Sequence, residues 1–241
     1  VAVLVTRPAP DNEATADALR ARGFEPLVAS MLVFQPLPFQ DEEALYSGVI
    51  LTSANAMRAI AGHPLLERLQ RLPVFAVGGR TAQAAREAGF TDVHSADGDA
   101  AALRELVLEH VPARKRSPLL YLAAADLSRD LVGELAARGL KVTWLPVYRM
   151  AGLDEFPDDV RNAFAHGGIE AVLHYSRRSA LAFVAAARHA GLEISALALP
   201  QLCLSEPIAR TLRDAGAGRA IAAKAPSEND LLDALEQALR R

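Results

Sequence analysis

One part of this 241-residue chain repeats another at a nearly fixed distance, and one piece of the repeat is out of order. Val77-Gly78-Gly79, running on to Arg86-Glu87-Ala88-Gly89, matches Leu204-Ser205-Glu206, running on to Arg213-Asp214-Ala215-Gly216, at an offset of 127 (78 to 205). The preceding units align Thr52-Ser53-Ala54 with Tyr175-Ser176-Arg177 at an offset of 123 (53 to 176). The following helices align Leu103 with Leu231 at 128. Such spacing marks a duplicated framework. The odd piece is Leu135-Ala136-Ala137-Arg138-Gly139-Leu140, whose twin, Leu19-Arg20-Ala21-Arg22-Gly23-Phe24, lies at the start of the chain. The unit closing the middle of the chain therefore has its counterpart at the beginning. A discontinuous domain reconciles this: residues 1–31 complete a sheet with residues 155–241, and residues 45–143 form a second domain inserted into the first.

Within each copy the pattern is a short apolar or β-branched run, a turn, then an amphipathic helix. Strands are expected at 2–6, 48–52, 73–77, 118–122, 141–145, 170–175, 201–204 and 220–223. Helices are expected at 12–22, 54–61, 80–88, 99–109, 128–138, 177–190, 207–215 and 228–240. Alternation of this length implies an α/β fold of parallel sheets with helices on both faces. Two crossings, 32–44 and 144–154, join the domains. They read Leu32-Val33-Phe34-Gln35-Pro36-Leu37-Pro38 and Trp144-Leu145-Pro146-Val147-Tyr148-Arg149, extended sequences suited to a two-stranded antiparallel β hinge. A cleft between hinged domains is the architecture this predicts.

Composition narrows the function classes. A net charge of −3 does not fit a dedicated nucleic-acid binder, so no nucleic-acid partner is expected. The single cysteine, Cys203, has no partner for an internal disulfide, and the six histidines show neither zinc-type spacing nor an i, i+4 pair, so no metal is expected. No apolar run reaches the roughly 18 residues of a membrane span. The opening Val1-Ala2-Val3-Leu4-Val5 reads as a strand without a basic leader, and together these features predict a soluble cytoplasmic protein.

In open α/β sheets, ligands bind beyond the carboxyl ends of the strands, where helix N-termini present free N–H groups. Here those turns are rich in Ser, Thr, Gly and Asn: Thr6-Arg7-Pro8, Thr52-Ser53-Ala54-Asn55-Ala56, Gly78-Gly79-Arg80-Thr81, Tyr175-Ser176-Arg177-Arg178-Ser179, Ser205-Glu206-Pro207 and Pro226-Ser227-Glu228. Each alone reads as a helix cap. Six together point to an anionic ligand with several carboxylates or phosphates. The phosphate-loop, dinucleotide and nucleophile-elbow motifs are absent, and Asp97, Asp99 and Asp126 form no recognisable metal or glycosidase pair.

The order of several short motifs resembles the uroporphyrinogen-III synthases over essentially the whole chain. They are Leu4-Val5-Thr6-Arg7-Pro8, Leu51-Thr52-Ser53-Ala54-Asn55-Ala56, Phe75-Ala76-Val77-Gly78 followed by Thr81-Ala82, Pro146-Val147-Tyr148-Arg149, Leu204-Ser205-Glu206-Pro207-Ile208-Ala209, and Ala225-Pro226-Ser227-Glu228 leading into Leu231-Leu232. The resemblance implies two flavodoxin-like domains, no cofactor, no metal, and hydroxymethylbilane as substrate. That linear tetrapyrrole carries eight carboxylates and a terminal hydroxymethyl group. Loss of the hydroxyl gives an azafulvene, the far pyrrole attacks at its substituted carbon, and a spiro intermediate fragments and recloses with ring D inverted. On this reading the protein mainly orients the substrate, which contributes several kcal/mol without a nucleophile.

Carboxylate contacts are expected from Thr52, Ser53, Asn55, Ala56, Gly78, Thr81, Ser176, Ser179, Ser205, Glu206 and Ser227 through backbone N–H and hydroxyl groups. Arg7, Arg177, Arg178 and Lys224 add charge, or are simply solvated helix-start cations. Tyr148, where the resemblance places a tyrosine, is the candidate catalytic acid for departure of the hydroxyl, since a phenol with a pKa of about 10 stays protonated at neutral pH; its other reading is a hinge-packing aromatic. Cys203 reads as core, His174 as a hydrogen-bonded strand-end residue and Trp144 as hinge packing. Arg114-Lys115-Arg116 reads as a solvated loop. A monomer suits a hinged enzyme. The rival classes are a non-catalytic two-domain protein that binds an anionic small molecule and a small two-domain glycosyltransferase.

Overall fold

The computed structural model describes residues 1–40, 44–112, 117–127 and 129–240; the Arg114-Lys115-Arg116 run lies outside the described residues. In chain order the elements begin with β1 (Ala2–Val5), α1 (Asp11–Ala21), β2 (Glu25–Val28), β3 (Leu32–Pro36), β4 (Val49–Leu51), α2 (Asn55–Ile60) and α3 (Pro64–Leu69). They continue with β5 (Val74–Ala76), α4 (Gly79–Glu87), β6 (Val93–Ser95), α5 (Ala100–His110), β7 (Leu119–Ala124), α6 (Leu131–Ala136), β8 (Val142–Gly152) and α7 (Asp158–Ala165). The last are β9 (Ile169–His174), α8 (Arg177–His189), α9 (Glu193–Ala198), β10 (Gln201–Cys203), α10 (Glu206–Asp214), β11 (Ala220–Ala222) and α11 (Glu228–Leu239).

The chain divides into two compact units: unit 1 is Val1–Val33 with Ala151–Arg241, and unit 2 is Phe34–Met150. Unit 1 carries a five-stranded sheet in the order β11-β10-β9-β1-β2, all parallel. This is the doubly wound order in which the chain reverses direction beside its first strand. The sheet of unit 2 runs β3-β8-β7-β4-β5-β6, parallel from β8 to β6.

Strand by strand, β6-β5-β4-β7-β8 corresponds to β11-β10-β9-β1-β2, so the two units share one topology entered at different strands. The offset is preserved in the elements themselves: β5 to β10 (74 to 201), α4 to α10 (79 to 206) and β6 to β11 (93 to 220) are each separated by 127 residues. Gly89 and Gly216, 127 apart, both take the positive φ that ends a helix tightly (+96° and +104°), where a β-carbon is strained.

Several elements were not expected. The helices α3 and α9 occupy twin positions 129 residues apart (64 to 193), and α7 precedes β9. The strands β2 and β6 are short and carry polar residues, which hides them from a period-two reading. The strand expected at 141–145 and the crossing expected at 144–154 are one continuous strand, β8. It passes Pro146 by a bulge: Ala123 pairs with Pro146 and Ala124 with Tyr148, leaving Val147 extra. A bulge is where a strand tolerates a residue without N–H. In the crossing expected at 32–44, strand structure ends at Pro36. Beside β3, Leu37 N–H donates to the Val147 carbonyl (3.0 Å) and Leu153 N–H to the Met31 carbonyl (3.0 Å). As one number falls the other rises, so the linking strands run antiparallel.

Both faces of each sheet are covered, which is why the strands read as unbroken apolar runs. In unit 2, Val49, Leu51, Leu120 and Leu122 face one way, onto Met57, Ile60, Leu65 and Leu69. Ile50, Phe75, Leu119 and Tyr121 face the other, onto Leu103, Val107, Leu131 and Leu135. In unit 1, Val3, Val5, Ala171, Leu173 and Leu202 meet Leu19 and the α11 residues Leu231, Leu232 and Leu235. Burying a side chain such as Leu235 contributes about 2 kcal/mol. Trp144, expected to pack, is 40% exposed. The parallel strands gather every following turn at one edge of each sheet, and those edges carry the candidate residues.

Candidate functional site

In unit 2 the turns after β4, β5, β6 and β7 share the carboxyl edge of the sheet. Thr52 Oγ1 lies 3.0 Å from Tyr121 Oη. Tyr121 is 4% exposed, and burial pushes its phenol pKa up. Ser53 Oγ accepts from Asn55 N–H (3.2 Å), and Asn55 Nδ2 lies 3.7 Å from Met150 Sδ. Ala56 is fully buried and offers only backbone. Gly78 stands at the N-cap of α4 and has no side chain with which to cap the first turn. Thr81, in the first turn, is 6% exposed. By contrast Asp99 caps α5 through Ala101 and Ala102 N–H (2.8 and 3.0 Å), bonds that lower its pKa.

Tyr148 follows the bulge in β8. It is 5% exposed, packs in the core of unit 2 and stacks on Phe34 with ring centres 5.6 Å apart. Its carbonyl accepts from Ala125 N–H (2.8 Å), which fixes the strand there.

In unit 1 the corresponding edge is more heavily bonded. Arg7 lies over the Tyr175 ring at 4.5 Å, 3.4 Å from Asp11 and 3.6 Å from Glu228 Oε1. Glu228 Oε1 also accepts from Thr15 Oγ1 (2.6 Å) and Tyr175 Oη (2.9 Å). Burial raises the pKa of the Tyr175 phenol. Arg7 is thus held by the protein's own carboxylates.

Ser176 caps α8 through Ser179 N–H (3.1 Å), and its Oγ meets that of the fully buried Ser179 at 2.9 Å. Ser227 caps α11 through Asp230 N–H (3.1 Å). Ser205 stands at the N-cap of α10 but makes no side-chain cap, like its twin Gly78. Glu206 is paired with Arg213 (2.6 Å), which lowers the carboxyl pKa. Arg177, Arg178 and Lys224 are exposed.

Behind this edge His174 is fully buried. Gln201 Nε2 donates to the Ala196 and Leu199 carbonyls (2.8 and 2.9 Å), so its Oε1 accepts from His174 Nε2–H at 2.9 Å. Cys203 is buried and its thiol is pushed up to about 12, so it is no nucleophile.

The sequence-derived set falls into two groups, one at each edge. Gly78, Ser205, Ser53 and Asn55 leave donors available, whereas Ser176, Ser179, Ser227, Arg7 and Glu206 are engaged with neighbours. Tyr121, Tyr175, Thr15 and Glu228 were missed as contributors. Tyr121 sits inside the apolar run Leu119–Ala124 and gives no signal, while Tyr175 and Glu228 flank serines that were singled out. Among the described residues no group of three or more His, Cys, Asp or Glu is placed to hold a metal, and no helix is long and apolar enough to cross a membrane.

Comparison with known proteins bears on the family and the fold. The family model for uroporphyrinogen-III synthase HemD matches residues 13–233. The porphyrin biosynthesis protein HemD of Ruminiclostridium josui is 24% identical over 225 residues, covering 88% of this chain and 43% of that protein, so the chain spans less than half the relative's length. The crystal structure of uroporphyrinogen-III synthetase from Helicobacter pylori aligns with a TM-score of 0.65 at 19% identity, over 98% of each chain. A mutant uroporphyrinogen III synthase from Thermus thermophilus aligns with a TM-score of 0.58 at 21% identity, over 100% of this chain and 99% of that one. These structural likenesses show a shared two-domain α/β fold. With a family model matched from near the first strand to the last helix, the chain belongs to the uroporphyrinogen-III synthase family.

Proposed function

We propose that this chain converts hydroxymethylbilane to uroporphyrinogen III, a lyase reaction of tetrapyrrole biosynthesis with loss of water and inversion of ring D. The observation that carries the reading is the family match over residues 13–233. The sheet edges supply what such a reaction needs from a protein. The Gly79 N–H that opens α4 and the Glu206 N–H that opens α10, next to Gly78 and Ser205, are offered to substrate carboxylates, and Ser53, Asn55, Arg177 and Lys224 add hydroxyl, amide and charge. Thr52, Ala56, Thr81, Ser176, Ser179, Ser227, Arg7 and Glu206 shape and brace the same turns or bind through their backbone.

In this account Tyr148 gives its phenolic proton to the departing hydroxyl, which leaves as water. The substituted carbon of the far pyrrole then closes on the electrophilic methylene. The spiro intermediate fragments and recloses at the free position, and the phenol regains a proton from the aromatising ring. Holding the reacting ends together supplies most of the acceleration. A cytoplasmic monomer that takes no nucleic acid belongs to the same proposal, supported by the net charge of −3 and the lone buried cysteine.

The test supplies hydroxymethylbilane made in situ, oxidises the product and resolves the isomers. The type III isomer is expected in excess; type I alone, as in the unaided reaction, would refute the assignment.

A further inference from the structure

Opposite the ligand-binding edge of unit 2, two histidines far apart in sequence come together. His94 lies in the edge strand β6, and His110 is the last residue of α5, which runs back toward the start of the strands. Their ring centres are 4.5 Å apart and their planes are tilted by 54°. Phe75, the cross-strand neighbour of His94, flanks both rings at 5.4 and 5.9 Å.

The hydrogen bonds fix the tautomers. A carbonyl only accepts, so His110 Nδ1, 3.0 Å from the Leu106 oxygen, carries the hydrogen and Nε2 keeps its lone pair. His94 Nε2 lies 2.9 Å from Asp92 Oδ1 and donates to that carboxylate, so Nδ1 keeps its lone pair. Each ring therefore has one nitrogen oriented by an outer oxygen and the other bare, as metal-bound imidazoles do.

The spacing is compatible with one shared ion. With a metal–nitrogen bond of about 2.0 Å, each ring centre stands about 3.2 Å from the metal, so two ligands have centres about 4.5 Å apart at a right angle and about 5.2 Å apart at the tetrahedral angle. The observed 4.5 Å is close enough for the two imidazoles to share one ion, and among the divalent first-row ions imidazole nitrogen binds Cu2+ most tightly. The His94 side chain is 32% exposed, leaving the ion a way in.

We propose that His94 Nδ1 and His110 Nε2 form a two-imidazole site for a divalent transition ion, with Cu2+ the tightest binder. Asp92 and the Leu106 carbonyl orient the rings, and water fills the remaining positions. The bound ion ties β6 to α5.

The test titrates the full chain with Cu2+ by calorimetry and electron paramagnetic resonance. One equivalent should bind with hyperfine splitting from two nitrogens. His94→Gln or His110→Gln should weaken it at least tenfold, and the double variant should lose it. Asp92→Asn should weaken it about tenfold, whereas His166→Gln, an exposed histidine in unit 1, should leave it unchanged. Cu2+ should raise the melting temperature of the wild type and not of the double variant. Equal binding by the double variant, or a one-nitrogen spectrum for the wild type, overturns the proposal. If the double variant does not fold, the wild-type spectrum decides by the same criterion.

Discussion

Acidification should weaken unit 1 through a single imidazole. His174 is fully buried between Thr6, whose Oγ1 lies 3.3 Å from Nδ1, and Gln201, whose Oε1 lies 2.9 Å from Nε2, with the Phe183 ring edge-on at 5.1 Å. Thr6 donates its own proton to the Leu173 carbonyl (2.8 Å), and among the described residues no carboxylate is bonded to the ring. Burial therefore pushes the His174 pKa down from 6.5 to about 4. The folded unit holds the ring neutral in the window where the unfolded chain takes up a proton. The stability is fully present above 6.5 and declines as pH falls below it, by about 1.4 kcal/mol per pH unit. The loss reaches about 3 kcal/mol and levels off once pH passes below the folded value. Hydrogen exchange at the Val172 amide, bonded to the Pro200 carbonyl in β9, reports unit 1 alone. His174→Gln keeps a donor toward Gln201 but does not titrate, and carboxylate effects common to both proteins cancel. The wild type should lose about 3 kcal/mol more than the variant between these pH values. Equal losses would refute the argument.

Two further substitutions separate structural from functional hydroxyls. Ser227→Ala removes the cap that accepts from Asp230 N–H and should cost about 1 kcal/mol in urea unfolding, whereas Ser205→Ala removes no cap bond and should change stability by less than about 0.5 kcal/mol while raising KM. Equal stability losses would contradict the reading of Ser205 as a ligand donor. Tyr148→Phe should lower kcat more than it raises KM; unchanged turnover would remove the proton-donor role.

What was legible in the sequence was the repetition of βα units and their circular order. Gly89 and Gly216 mark equivalent helix ends, and apolar runs such as Val49–Leu51 and Leu119–Ala124 are long enough to show as buried strands. The short helices α3 and α9 gave no periodic signal in six residues each, although their shared offset from one another would have exposed both. β8 was split in two because Pro146 interrupts the pattern, and only the pairing with β7 shows that a bulge absorbs it. At the candidate site, the hydroxyl-rich turns were visible, but their bonding was not. That Arg7 meets Glu228, that Ser179 is buried, and that Tyr121 reaches Thr52 all depend on side chains from distant segments. The pairing of His94 with His110 is of the same kind, made by the packing of α5 on β5 beside β6 and absent from any spacing rule.

The most direct test of the account is amide chemical-shift mapping with uroporphyrinogen III added under anaerobic conditions. Binding at the strand-end turns predicts shifts at residues 52–56, 78–81, 176–179, 205–209 and 224–228. Shifts confined to other surfaces, such as the groove between α8 and α10 lined by Val184, Arg188 and Asp214, would contradict it.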